Sequence, residues 1–249
     1  MHFPLARDGL RELLICTALL GGGAGVSAWA ALAVSPWFWM AAVPLSALWL
    51  FTVAFFRDPQ RSVPDGPGLF VSPADGRVTE VSRLENHEHI GGPALKISMF
   101  LSIFNVHVNR TACDGRVIRT EYQPGEFLDA RAPECGIRNE NNTIVIEPGG
   151  GLPGPVIVRQ VAGMVARRIV CKVGAGDILR RGQRIGLIKF GSRTDLVVPA
   201  VEGLEAIVHV GDNVKGGSSV LMRLTKVAEH GIGPRQNREA ERLAASPGA

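Results

Sequence analysis

The sequence predicts a mainly β domain, built from sandwiched or barrel-like sheets, behind an N-terminal pair of membrane helices. Three observations lead there. Leu13 to Val34 and Trp37 to Phe56 are apolar runs without a charged residue. At Arg57-Asp58-Pro59 the character changes, and glycine and proline become frequent. The apolar runs beyond that point have strand length, not helix length.

Each N-terminal run has about the twenty residues needed to cross a bilayer. The Ser35-Pro36 link between them is uncharged, and Trp37 and Trp39 suit an interfacial belt. Arg7 and Arg11 precede the first run, while Arg57 and Arg61 follow the second. The positive-inside rule then predicts a helical hairpin with both ends in the cytoplasm. Gly21-Gly22-Gly23 and Gly25 weaken the first helix, which leaves a re-entrant or interfacial segment as the alternative. No small-x-small cleavage site is well placed, so the hairpin reads as a retained anchor over residues 1–57.

The β domain spans residues 58–228. Phe70-Val71, Arg77 to Val81, Leu95 to Phe100, Arg116 to Thr120, Thr143 to Ile146 and Val156 to Val161 read as strands. So do Arg168 to Val173, Arg184 to Phe190, Asp195 to Val198, Ala206 to His209 and Val220 to Thr225. The segment Gly174 to Gln183 resembles the turn regions of lipoyl-like and biotinyl-like barrel-sandwich domains, so the expected form is barrel-sandwich-like. Tyr122 to Asn142 is a long polar stretch between strands, the kind of loop that often serves as a lid. Residues 229–249 form a polar tail, disordered or with a short helix over Glu239 to Leu243.

Composition narrows the function. The formal net charge of +4 and pI of about 9.1 fit work against anionic lipid head groups. No basic helix or basic-aromatic patch points to nucleic acid. The four cysteines, Cys16, Cys113, Cys135 and Cys171, are scattered without a Cys-x-x-Cys, so neither a zinc site nor a disulfide framework is expected. Asn86-His87-Glu88-His89 resembles a ligand pair, but no third ligand has suitable spacing, and a solvated hairpin tip is the plainer reading.

Chemistry enters at Lys189-Phe190-Gly191-Ser192-Arg193, between two apolar runs. A serine after a glycine can add its hydroxyl to the preceding carbonyl and turn the amide into an ester. β-Elimination then breaks the chain, and hydrolysis of the new N-terminus leaves a pyruvoyl group. That ketone is an electrophile able to form a Schiff base with an amine substrate. The serine needs a base within reach, and histidine titrates nearest to neutral pH. A carboxylate that orients the imidazole would complete a triad. Taken alone, Asp75-Gly76 is an ordinary turn, and His107 shares a polar alternation with Asn105 and Asn109.

Four segments occur together: Phe55-Phe56-Arg57-Asp58-Pro59, Ser72-Pro73-Ala74-Asp75-Gly76, Ser98 to Arg110, and Lys189 to Ser192. In this order they resemble phosphatidylserine decarboxylases of the short, membrane-anchored form, over roughly residues 50–225. The resemblance implies a proenzyme cut between Gly191 and Ser192. It implies a pyruvoyl cofactor derived from Ser192, His107 as the base, and Asp75 orienting His107. The two fragments, 1–191 and 192–249, would stay together as a heterodimer at the inner membrane, catalytic side in the cytoplasm. Phosphatidylserine would be decarboxylated to phosphatidylethanolamine. All the proposed chemistry would lie beyond the anchor. Longer members of the family carry a His-x-x-His pair, and here Phe104 stands at the first position, which leaves the proton donor for decarboxylation open. Asn139-Glu140-Asn141 resembles an Asn-Glu-Arg loop of the family with asparagine in place of arginine, and the loop is expected over the substrate head group. Gly216-Gly217-Ser218-Ser219 is a second Gly-Ser step, read as a turn. Two other readings are a membrane-tethered adaptor, which lacks the usual heptads, and a zinc hydrolase using His87, His89 and His107.

Overall fold

In the computed structural model, which describes residues 5–132, 134–164, 168–189 and 191–225, an apolar helix pair stands on a mainly β body. Helix α1 (Leu10–Cys16) runs through a π turn (Thr17–Gly21) into α2 (Gly22–Ala33). Helix α3 (Trp39–Phe55) returns after a short 3-10 turn at Pro36–Phe38. The two spans, Leu10–Ala33 and Pro36–Phe55, are long and apolar enough to cross a membrane, and their side chains are mostly exposed. The glycines that weaken the first helix in sequence have a packing use. Trp49 lies over Gly21 and donates from Nε1 to Thr17 Oγ1 at 3.1 Å, and Leu45 reaches Gly23. The first helix is therefore continuous through its glycines. Leu5 bridges Arg57, and Ala6 N–H donates to the Phe56 carbonyl at 2.7 Å, so both ends of the hairpin meet at the β body.

The β body contains an eight-stranded antiparallel sheet curled as a half-barrel. Its order is β13 (Asn213–Val214), β2 (Gly76–His87), β3 (Gly92–Leu101), β11 (Ser192–Pro199), β7 (Val156–Val161), β6 (Asn141–Pro148), β5 (Gly115–Gln123) and β9 (Ile178–Leu179). Two three-stranded sheets close over it. One orders β1 (Leu69–Val71), β14 (Val220–Leu224) and β12 (Leu204–Ala206). The other orders β4 (Val108–Arg110), β10 (Arg184–Ile188) and β8 (Ile169–Cys171). The period of two decides the faces. Ile97 and Met99 of β3, Leu196 and Val198 of β11, and Ile144 and Ile146 of β6 point into one core with Phe70, Ile185 and Leu221. Each such side chain contributes about 1.5–3 kcal/mol by leaving water. Their neighbours Ser98, Arg193 and Asp195 make polar contacts instead.

The expected strands recur with small shifts. The strand expected over Ala206 to His209 pairs only over Leu204–Ala206, because the chain bends away toward Gly211, which has a φ of +104°. Asn213–Val214 and Ile178–Leu179, which read as turn residues, form two-residue edge strands. The Tyr122 to Asn142 segment is not structureless. It contains α4 (Cys135–Arg138), and Glu126 bridges Asn139. The polar tail 229–249 and Phe190 lie outside the described residues.

Candidate active site

His107 stands immediately before β4, and the Ile188 N–H donates to its carbonyl as β10 runs past. The chain then turns toward β11 and delivers Gly191, whose N–H donates to His107 Nε2 at 3.2 Å. A backbone N–H can only donate, so Nε2 presents a lone pair. Nδ1 lies 2.9 Å from the Asn105 carbonyl, an acceptor only, so Nδ1 carries the proton. The tautomer is thus fixed at both ring nitrogens. The ring is buried, and the Phe55 ring lies against it with centroids 4.3 Å apart. Burial holds the His107 pKa down at about 4; the Asn105 hydrogen bond opposes this and the Arg57 charge adds to it. At neutral pH this imidazole is uncharged, the protonation state a base requires, and its lone pair accepts from the Gly191 N–H.

Ser192 opens β11, opposite Leu101 of β3. Its hydroxyl is fully buried and has no hydrogen-bond partner among the described residues. Leaving a buried hydroxyl unpaired costs about 1–3 kcal/mol. Gly191 has a φ of +60°, a left-handed conformation suited to glycine. Its carbonyl is crowded from outside: a Cβ on Gly163 would stand 2.2 Å from the Gly191 oxygen. The unpartnered serine hydroxyl and the Gly191 carbonyl thus flank the Gly191–Ser192 peptide bond, and the neutral imidazole holds the N–H of the preceding one.

Asp75 does not join His107 as expected. Its Oδ2 accepts from Arg61 at 2.6 Å, and its Oδ1 accepts from the Gly216 N–H at 2.8 Å. The Asn105 carbonyl takes the place anticipated for the carboxylate. Arg61 and Arg57, read from sequence as topology charges, both brace the protein: Arg57 donates to the Phe104 carbonyl at 2.6 Å. The Gly216 to Ser219 step is a turn packed on the Asp75 loop, with Gly217 N–H donating to the Ser72 carbonyl.

Beside Gly191 lies a cavity of about 280 Å³, lined by Phe100, Ser102, Ile103, Asp129, Ala130, Arg131, Met164 and Gly191. The long loop thus borders the Gly191–Ser192 step through Asp129, Ala130 and Arg131. Within that loop, Asn139 is structural: its amide bonds Leu128 on both sides and the Ala162 carbonyl.

The sequence profile for phosphatidylserine decarboxylase matches residues 48–222. A phosphatidylserine decarboxylase proenzyme of Rhodopirellula baltica is 43% identical over 223 residues, covering 88% of each chain. One from Cupriavidus pinatubonensis is 42% identical over 91% of this chain and 100% of its own, and one from Symbiobacterium thermophilum is 47% identical over 80% and 92%. The chain belongs to the phosphatidylserine decarboxylase family.

As a member of that family it is a decarboxylase, which sets aside the adaptor and hydrolase readings. His87 and His89 sit at the β2–β3 turn, ring centroids 5.7 Å apart, and among the described residues no group of three or more His, Cys, Asp or Glu could hold a metal ion. Phe104, at the position where longer phosphatidylserine decarboxylases carry histidine, is exposed and meets the Phe51 ring of α3 edge-on at 6.1 Å.

Two features near Ser192 escape sequence reasoning. One is Phe55, placed with the anchor by its apolar run. The other is a buried amide chain: Asn142 donates to Gln160, Gln160 to Asn109, and Asn109 to Thr194 Oγ1, at 3.0, 2.9 and 3.1 Å. Asn109 and Thr194 are each two residues from His107 and Ser192 in sequence. The alternation of Asn105, His107 and Asn109 was the available signal for half of that chain.

Proposed function

We propose that this phosphatidylserine decarboxylase matures by cutting itself between Gly191 and Ser192, with His107 as the base. The observation that carries the reading is the unpartnered Ser192 hydroxyl directly after Gly191, whose own N–H is held by a neutral imidazole. His107 Nε2 takes the hydroxyl proton as Oγ bonds to the Gly191 carbonyl carbon. The Gly191–Ser192 C–N bond breaks, leaving an ester and a free amine. Loss of the Ser192 α-proton then expels the Gly191 carboxylate, and one water releases ammonia to leave the pyruvoyl ketone.

The surroundings of Ser192 fit that group: its side chain is buried, and β11 is held on both edges by β3 and β7, so the new terminus stays in place after the cut. The pyruvoyl ketone supplies an electron sink that reacts with the primary amine of phosphatidylserine. Around it, Arg131 and Ser102 line the cavity toward the substrate head group, and the 122–142 loop acts as its cover. Asp75 supports the site from one layer further out, through Arg61 and the Gly216 turn. The proton on His107 is on Nδ1 and engaged by Asn105, so the ring suits proton abstraction, and water is the proton donor after carbon dioxide leaves. Fragments 1–191 and 192–249 remain one unit. The hairpin crosses the inner membrane with both ends cytoplasmic, which keeps the catalytic domain on that side beside its lipid substrate.

The test is intact mass spectrometry of the purified protein. The expected result is a small fragment with the mass of residues 192–249 carrying a pyruvoyl terminus and resisting Edman sequencing. A single uncut chain with decarboxylase activity overturns the reading.

A further inference from the structure

We infer that the membrane anchor supplies a positioning residue for maturation: Phe55 of α3 seats the His107 ring against Gly191, so self-cleavage requires the docked hairpin. The inference rests on the reading of His107 as the base for self-cleavage.

Most of α3 is exposed, as a lipid-facing helix should be, yet Phe55 at its last position is only 2% exposed. Its ring meets His107 at 4.3 Å between centroids and Phe56 at 5.1 Å in an edge contact. An imidazole with both nitrogens engaged still has two open faces, and Phe55 covers one of them.

The rest of the hairpin base grips the two segments that bring His107 to Gly191. On one side, Arg57 donates to the carbonyls of Ala54 and Phe104 at 2.7 and 2.6 Å. That ties the end of α3 to the loop whose Asn105 carbonyl orients Nδ1. On the other side, Glu12 pairs with Lys189, two residues before Gly191, and Asp8 pairs with Arg184 and Lys172 of the β10 and β8 region. Leu5 and Ala6 join Arg57 and Phe56, so the two grips act together. The exposed apolar helices lose their favoured environment outside lipid, and a hairpin that collapses or reorients carries Phe55 away from His107. Maturation is thereby coupled to insertion.

The experiment uses the full chain, synthesised in a cell-free reaction with phosphatidylglycerol–phosphatidylethanolamine vesicles, and follows the uncut band with time. Phe55→Ala is expected to slow cleavage by at least about tenfold, and Phe55→Leu, which restores apolar bulk, by less. The pH profile separates positioning from loss of fold. Arg57 is the charge acting on the ring, and the Glu12–Lys189 pair flanks the Gly191 side. Without Phe55 the ring is hydrated, so the acid limit of cleavage moves up toward an ordinary histidine value. Partial unfolding lowers the rate without moving that limit. Wild-type rate and profile in Phe55→Ala overturn the inference, as does a slower rate with an unmoved limit. His107→Ala run in parallel reports on the underlying reading: if it is cut normally, the base assignment itself fails, whereas its arrest beside normal cleavage of Phe55→Ala rejects only the role of Phe55.

Discussion

The Gly191 N–H and His107 Nε2 are joined by a 3.2 Å hydrogen bond across a sequence separation of 84 residues. This bond holds the imidazole lone pair at Gly191, the residue before Ser192, whose hydroxyl has no partner among the described residues. On the reading of His107 as the base, Nε2 gives up the Gly191 N–H, which belongs to the peptide bond preceding the one proposed to be cut, in order to accept from the hydroxyl. The same geometry explains why a single histidine can serve: its second nitrogen is occupied by the Asn105 carbonyl, so its tautomer does not depend on a carboxylate.

The hydroxyl itself is the first point to test. Ser192→Ala is expected to leave the chain uncut on a denaturing gel and without decarboxylase activity, since no oxygen remains to attack Gly191. Ser218→Ala, in the turn against the Asp75 loop, is expected to be cut as efficiently as the natural chain. Fragmentation of the Ser192→Ala protein at this step would rule out the mechanism.

Much of the fold was legible because short apolar runs bounded by turn residues have strand length. Ile97 and Met99 alternate with Ser98, and Leu196 and Val198 point into the same core, while Val197 packs on the opposite face. The candidate pair Ser192 and His107 stood out as well, because Gly-Ser in an apolar setting and a histidine in a polar alternation are chemical signals. The separation of Asp75 from His107 was not foreseeable. Which acceptor takes Nδ1 depends on the turn at residues 102–105, and a backbone carbonyl leaves no mark in sequence. Phe55 was hidden for the opposite reason. Within an apolar run, a residue facing lipid and one facing a histidine look alike.

The histidine environment sets a pH dependence. His107 is held at about 4, below the ordinary value of 6.5. It stays neutral as pH falls through 6.5, so self-cleavage is expected to persist at pH 5 and to fail only near pH 4. Stability follows the linked sign. Between those two values the unfolded chain binds the extra proton, so folding stability falls as pH drops through the window and levels off below about 4, a loss of about 3 kcal/mol in all. In a Ser192→Ala background, adding His107→Gln should flatten that slope in denaturant titrations at pH 7, 5.5 and 4.5. An unchanged slope would mean the buried imidazole is not the group responsible.

The carboxylate at position 75 is expected to behave as part of an ion pair, not a triad. In Asp75→Asn the amide oxygen can still accept from Gly216, but the charge facing Arg61 is gone. Cleavage should slow by no more than about tenfold, against 10²–10⁴-fold for His107→Ala. Arg61→Met should reproduce the Asp75→Asn rate, and the double variant should be no slower than either alone. A loss from Asp75→Asn as large as that from His107→Ala, with Arg61→Met unaffected, would restore a direct link between the carboxylate and the imidazole.

The scissile carbonyl offers the sharpest steric test. Gly163 lies where the chain leaves β7, and its missing side chain is what allows the Gly191 oxygen to come close: an added Cβ would stand 2.2 Å from that oxygen and 3.2 Å from the Ala130 Cβ. Backbone cannot yield as a flexible side chain does, so Gly163→Ala must push Gly191 away, at a cost of about 1–3 kcal/mol. The displacement falls on the carbonyl carbon that Ser192 attacks, and a misplacement of about 1 Å at a reacting atom can reduce a rate about 100-fold. The variant is therefore expected to fold and to remain largely uncut over the time in which the natural chain is fully processed. Gly149→Ala, where an added Cβ meets nothing within 4 Å, serves as the control and should be cut normally. Timed processing of both proteins, with thermal unfolding measured alongside, separates displacement from collapse. Rapid cutting of Gly163→Ala would show that the carbonyl need not sit where the structure puts it.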